Sequence, residues 1–175
     1  MGEAILSALS GMPSEIQMLL LSGIPLTELR ASIPLAHIMV SQGVWHWAWW
    51  EIYALAVLGN LLPVPLILWG LGPVSRFLRR WGPFDRFFEW LFERTRARAG
   101  SKIEKYEALG LTIFVAIPLP VTGAWTGSLA AFLFRIPARL SIPAISLGVA
   151  LAGAVVTLIA TGALAGLRFI LGTGA

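Results

Sequence analysis

Cysteine is absent from all 175 residues, which excludes a disulfide framework and any thiolate metal site. Histidine is nearly absent. His37 and His46 have no acidic partner at a recognisable spacing, so no metal centre and no His-based nucleophile pair is expected. No glycine-rich phosphate loop occurs either, and the chain reads as a non-enzyme without a cofactor. Charge is scarce as well. Asp, Glu, Lys and Arg make up 13% of the sequence, where a soluble domain carries roughly 25%. A folded surface this poor in charge is expected to face lipid.

What is present agrees with that. Hydrophobic residues are 57% of the chain and mean hydropathy is +0.80. The formal charge of +4 is unevenly spread: nine of thirteen Lys and Arg lie between Arg76 and Lys105, and Arg135 and Arg139 share one short connection. The basic block interrupts apolar stretches. It is therefore read as a cytoplasmic loop obeying the positive-inside rule, with no nucleic-acid partner. Met1 to Gly11 carries Glu3 but no Lys or Arg, so a cleaved signal is not expected there.

Four apolar stretches follow: Ile16 to Val40, Ile52 to Leu71, Leu109 to Phe134 and Ile142 to Leu167. The second and fourth read as ordinary spans. In the fourth, Gly148, Ala152 and Gly153 form a small-residue face that another helix can approach closely, which allows a homodimer. The first and third are interrupted. Pro25 and Pro34 flank Glu28 and Arg30 in one; Pro118, Pro120, Thr122 and Gly123 punctuate the other. A charge at the bilayer centre costs roughly 2.5–3.5 kcal/mol, and proline breaks or kinks a helix. Each interrupted stretch is expected to be two short arms: Ile16 to Ile24 with Ile33 to Val40, and Leu109 to Ile117 with Ala124 to Phe134. An arm of about ten residues reaches ~15 Å, half of a ~30 Å hydrocarbon core, so each pair is read as a re-entrant hairpin.

Charge supports this topology. With hairpins entering from opposite faces, the cluster Trp45, Trp47, Trp49 and Trp50 lies at the outer interface. Eleven of the thirteen basic residues then lie inside, with only Arg30 and Arg168 as exceptions. If all four stretches crossed, Arg135 and Arg139 would be outside. The expected fold is an all-α membrane protein of one domain, 1–175. It is an inverted repeat of hairpin plus transmembrane helix (13–72 and 108–170) around a linker, 73–107. Phe84, Phe87, Phe88 and Leu91 recur at helical spacing in that linker, giving an amphipathic interfacial helix. Ile24-Pro25-Leu26 echoes Ile117-Pro118-Leu119, and Leu58-Gly59 echoes Leu147-Gly148. Opposed broken segments of this kind are the pattern of secondary transporters.

Four motifs together resemble a known family: Glu28-Leu-Arg-Ala-Ser-Ile-Pro34, Leu58-Gly-Asn-Leu-Leu-Pro-Val-Pro65, Phe88-Glu-Trp-Leu-Phe-Glu-Arg-Thr95 and Ala116-Ile-Pro-Leu-Pro-Val-Thr-Gly-Ala-Trp-Thr-Gly127. Across about residues 24 to 162 the chain is similar to the bacterial and archaeal small multi-drug export proteins. Their usual tip reads Pro-Gly-Thr-Gly, and here Val121 stands in place of the glycine. That family resembles, distantly, the DedA (SNARE-associated, VTT) membrane proteins. The likeness implies re-entrant hairpins and movement of lipid or lipid-phosphate. The family name implies export of drugs across the inner membrane. The chain does not resemble the shorter four-helix small multidrug resistance proteins.

Candidate site residues follow. Glu28 is read as carrying a coupling proton or meeting a cation, with Arg30 holding an anion or the Glu28 charge; the bland alternative is an ion pair that locks the hairpin. Both face one side only if the tip is extended. Pro34 lies at the start of the second arm. Thr122 with Gly123 is expected to cap the arm through Trp125, Thr126 and Gly127, whose helix N-terminus favours anions. Pro118 and Pro120 open this second tip. Asn60 is expected to hydrogen-bond a hairpin tip ahead of contacting a ligand, and Pro63 and Pro65 to free backbone carbonyls. His37 reads as a packed polar residue and His46 as interfacial. Two functions stand open: ion-coupled efflux of small amphipathic compounds by alternating access at a midplane site between the hairpins, or a DedA-like lipid flippase or scramblase. A membrane scaffold is the third. The expected partners are membrane lipids and an amphipathic or lipid-like substrate.

Overall fold

The computed structural model describes residues 11–78, 104–118 and 122–170, and these hold seven helices and no strand. The amphipathic linker helix around Phe84 to Leu91 lies outside the described residues, as do Pro120 and Val121. Helix α1 (Ser14–Gly23) starts behind Pro13 with Glu15 in its first turn, where a carboxylate suits the helix dipole. It ends at Gly23, one residue before Ile24-Pro25, which cannot continue it. Helix α2 (Glu28–Ser41) follows after four residues. Helices α3 (Trp49–Leu61) and α4 (Pro63–Leu78) are separated at Leu62, where Pro63 and Pro65 supply no N–H. Helix α5 (Glu104–Ala116), α6 (Ala124–Leu133) and the 33-residue α7 (Ala138–Ile170) complete the order.

Arm lengths match the two-arm expectation at 10 and 14 residues in one hairpin and 13 and 10 in the other. One boundary is corrected. The second arm of the first hairpin begins at Glu28 and not at Ile33, so Pro34 lies in the helix interior instead of its first turn. Proline at that point loses one backbone bond, to the Arg30 carbonyl, and the turn before it survives on the others.

Trp49–Pro73 and Ala138–Ala163 are long and apolar enough to cross a membrane, at 25 and 26 residues. Only 22% of the first window and 44% of the second is buried. A water-soluble core helix would bury most of its length. Instead Leu58, Leu62, Leu66 and Trp69 on one, and Leu147, Leu151, Leu158 and Ile159 on the other, are exposed large apolar side chains. Lipid is the solvent in which that surface is stable.

The chain divides into two compact units, Met1–Asn60 with Leu151–Ala175, and Leu61–Ala150. The first unit packs α1 on α2 over Met18, Leu21, Leu29, Ile33 and Ala36, with Ile52 and Ala56 of α3 also fully buried. The second packs α6 against both α4 and α5, over Val64, Val115, Ala124, Ala131 and Ile145.

The same seat occurs inside each unit. In the first, a Cβ added at Gly59 would lie 2.5 Å from the Leu19 carbonyl oxygen and 2.9 Å from Ser22 Cβ, so α1 rests on the bare backbone of α3. In the second, a Cβ at Gly148 would lie 2.7 Å from Val115 Cβ and 2.9 Å from the Thr112 carbonyl oxygen, so α5 rests on α7. Leu19 precedes Ile24-Pro25 by the same interval as Thr112 precedes Ile117-Pro118, and Ser22 corresponds to Val115. A hydroxyl reinforces the second seat: Thr112 Oγ1 lies 2.8 Å from the Ala108 carbonyl and 3.1 Å from that of Ala144 on α7. Gly153 of the small-residue face is used within the chain too, because a Cβ there would meet Tyr53 and Val57 of α3 at 3.0 and 3.2 Å.

Candidate functional site

The first hairpin carries its charges at the start of α2. Arg30 Nη1 donates to Glu28 Oε2 at 2.9 Å. Glu28 is 6% exposed. The pair forms without the extended tip expected for it. Glu28 is the first residue of α2 and sits in left-handed backbone, φ +43°, which turns its carboxylate back over the first turn to meet Arg30. A non-glycine residue in that region costs about 1–2 kcal/mol, which the surrounding contacts must hold. Thr27 Oγ1 donates to the Leu21 carbonyl and ties the tip to the end of α1.

Behind the ion pair lies a hydroxyl pair that sequence reasoning passed over. Ser22 Oγ and Ser32 Oγ are 2.7 Å apart, both essentially inaccessible, one on each arm. Ser32 stands four residues after Glu28, on the buried face that also holds Leu29, Ile33, Ala36 and His37. The signal available in the sequence was a serine within the apolar part of each arm. His37 is buried at 8% exposure with Nε2 unpartnered, as a packed polar residue.

Asn60 lies on the buried stripe Ile52, Ala56, Gly59, Asn60 of α3 and is 1% exposed. The hydrogen bond to a hairpin tip that was expected of it is not formed, since among the described residues neither Oδ1 nor Nδ2 has a partner. Beside it, at Gly59, α1 presents the Leu19 backbone and the Ser22 Cβ. Pro63 and Pro65 open α4 just beyond it.

The second hairpin presents a different chemistry. Pro118 follows the end of α5, and Pro120 is among the residues not described. The cap of α6 is corrected. Gly123 is the N-cap, and its N–H donates to Thr126 Oγ1 at 2.8 Å. Thr122 instead donates its hydroxyl to the Ile117 carbonyl at 2.9 Å, closing the tip onto α5. A side chain two residues inside the helix reaches back over the first turn; Thr122, outside it, is better placed for the preceding arm. Gly127 lets α5 approach, since a Cβ there would lie 2.5 Å from Val115 Cγ2.

Trp125 and Thr126 line a cavity of about 390 Å³ together with Leu66, Ile67, Leu71 and Leu129. Its wall is almost wholly apolar and comes from α4 and α6 of one unit. Only Trp125 and Thr126 were picked out from sequence; the α4 residues look like any lipid-facing stretch until α6 is laid against them. The geometry therefore offers a charged, buried carboxylate in one unit and an apolar cavity at a helix start in the other. Among the described residues no group of acids and histidines could hold a metal ion.

The sequence matches a family model described as "Putative small multi-drug export protein" over residues 28–155. That is well over half of the chain, and the protein belongs to this family. Neither a curated protein nor a solved structure matches it. Family and exposed apolar helices together make it a helical membrane protein.

Proposed function

From this membership, we propose that the chain is a small ion-coupled exporter of amphipathic compounds, working by alternating access, with Glu28 as its coupling carboxylate. The observation that carries the reading is the Glu28–Arg30 pair, with Glu28 buried and Arg30 half-buried, at the tip of a proline-broken hairpin. Ionisable groups are rare inside membrane segments because they are costly there, and transporters keep them for ion and substrate handling. Protonation of Glu28 would release Arg30 from its partner, coupling a proton to a charge rearrangement at the tip.

The hairpins are read as re-entrant because none of their arms exceeds 14 residues, about 21 Å, against a ~30 Å core. The inverted repeat is supported by the recurring seat of a first arm on a span glycine, Gly59 and Gly148, and by the inside bias of Lys and Arg. The cavity beside Trp125 suits the apolar body of an amphipathic substrate. The inner membrane is the proposed location, with the 76–105 linker in the cytoplasm.

The test is transport in proteoliposomes under an imposed pH gradient. Glu28→Gln is expected to abolish gradient-driven transport while the protein remains folded, and undiminished transport removes the coupling role. A second reading is a DedA-like lipid flippase or scramblase. It is favoured by the start of α6 beside an apolar cavity, since helix N-termini attract phosphate. Movement of labelled phospholipid with no gradient, insensitive to Glu28→Gln, would select it.

A further inference from the structure

The second unit holds another concavity that neither the sequence motifs nor the export reading assigns. It is a groove of about 460 Å³ between α5 and α6, lined by Glu107, Leu111, Phe114, Ala130, Phe134 and Ile136. Its volume is that of a site for a drug-sized molecule. Phe114 and Phe134 are 40% and 52% exposed, so both rings remain open to an occupant. Every other side chain in the wall is aliphatic except Glu107, which is half-buried. Among the described residues Glu107 forms no ion pair. Arg135 on the connection after α6 and Arg139 in the first turn of α7 are both exposed, and neither lines the groove.

We propose that this groove binds a lipophilic organic cation. Three features select that class. Two open aromatic faces attract a cation through their quadrupoles. The carboxylate supplies the opposite charge at a place where water is partly excluded, so the attraction is stronger than on an open surface. The rest of the wall rewards apolar bulk. A phosphate-bearing lipid or an acidic compound would bring a like charge to Glu107. A neutral amphiphile would cover that carboxylate without pairing it, at a desolvation cost. The groove lies at the end of the hairpin where α5 begins and α6 finishes, next to the basic connection read as cytoplasmic. A cation dissolved in the inner leaflet would meet it there. The inference rests on the export reading, and it names the substrate class and its point of entry.

Tetraphenylphosphonium and tetraphenylborate have one shape and opposite charge, which makes them the deciding probes. Equilibrium dialysis against the full chain in lipid nanodiscs, corrected with empty nanodiscs, should give preferential binding of the cation. Glu107→Gln should weaken tetraphenylphosphonium roughly tenfold while leaving tetraphenylborate unchanged or tighter. Phe114→Leu with Phe134→Leu, which keeps the apolar bulk, should weaken the cation several-fold and not the anion; this variant decides the matter if Glu107→Gln fails to fold. Cation binding that ignores both variants, or equal binding of the two probes by the unaltered chain, overturns the proposal. Binding needs no transport, so the outcomes separate. Glu107-dependent binding in a chain that transports nothing keeps the groove and removes export. Export of other compounds by a chain whose groove ignores charge does the reverse.

Discussion

Replacing Asn60 by leucine should make this protein more stable. Asn60 is 1% exposed, and among the described residues neither end of its carboxamide is hydrogen-bonded. It is the twelfth residue of the 25-residue apolar helix Trp49–Pro73, close to mid-span, where water is not at hand to make up the loss. A buried polar group without a partner costs about 1–3 kcal/mol, and an apolar side chain of like shape removes that cost. Leucine keeps the branching of asparagine, with two methyls in place of the amide oxygen and nitrogen, so it fills the same site with apolar atoms. At roughly 2–4 °C per kcal/mol for a chain of this size, the unfolding midpoint should rise by about 2–10 °C. Near-ultraviolet circular dichroism in nanodiscs reads this directly, since eight tryptophans report packing. Asn60→Ala serves as the control, because it deletes the amide but leaves a void, and its gain should be smaller or absent. A midpoint that falls for Asn60→Leu refutes the reasoning and means the amide is satisfied in the folded protein. If the stabilised variant transports more slowly, the amide is being kept at a cost for use elsewhere in the cycle.

Further outcomes follow from the same geometry. Gly59→Ala and Gly148→Ala should each lower the midpoint, by roughly 1–3 kcal/mol in stability, because backbone atoms of the facing arm stand where the methyl would go; Gly162→Ala, with open space around it, should be neutral or mildly stabilising. Single cysteines introduced at Ser14 and Ser41 should react with an impermeant maleimide from one side of the membrane, and those at Tyr106 and Leu140 from the other, in a chain with no background thiols. Labelling of Ser14 and Ser41 from different sides would end the re-entrant reading. Trp125→Ala should reduce affinity for an amphipathic substrate roughly tenfold by removing one wall of the α4–α6 cavity, leaving the pH dependence of transport in place; an altered pH dependence would tie Trp125 to the coupling step instead.

Much of the helix pattern was legible because prolines and charge punctuate an otherwise continuous apolar text. The arms of the second hairpin and both spans fall within a few residues of their expected limits. The second arm of the first hairpin starts five residues before the expected Ile33, because two charges and a proline argue locally against a helix at 28–34, whereas the fold holds α2 together despite the backbone bond that Pro34 cannot make. The cap of α6 falls to Thr126 and not to Thr122, because both hydroxyls are equally good acceptors on paper and only the fold shows that Thr126 accepts from the Gly123 N–H while Thr122 donates to the Ile117 carbonyl. The cavity and groove residues were invisible for a different reason. Leucine and phenylalanine are expected at every lipid-facing position, and nothing in a single sequence tells a lipid-facing residue from one lining a pocket.

By itself the sequence determined the solvent and the punctuation: a charge content this low requires lipid around it, and proline with glycine sets where helices stop. These are local or compositional properties, fixed before any two segments meet. The tertiary structure alone decided the pairings. It brought Glu28 to Arg30 through a left-handed residue, seated α1 on Gly59 and α5 on Gly148, and left Asn60 without a partner. The first depends on a backbone conformation that only its surroundings hold in place, and the others on which backbone lies within a few ångströms of which side chain, a matter of packing between separate segments of the chain.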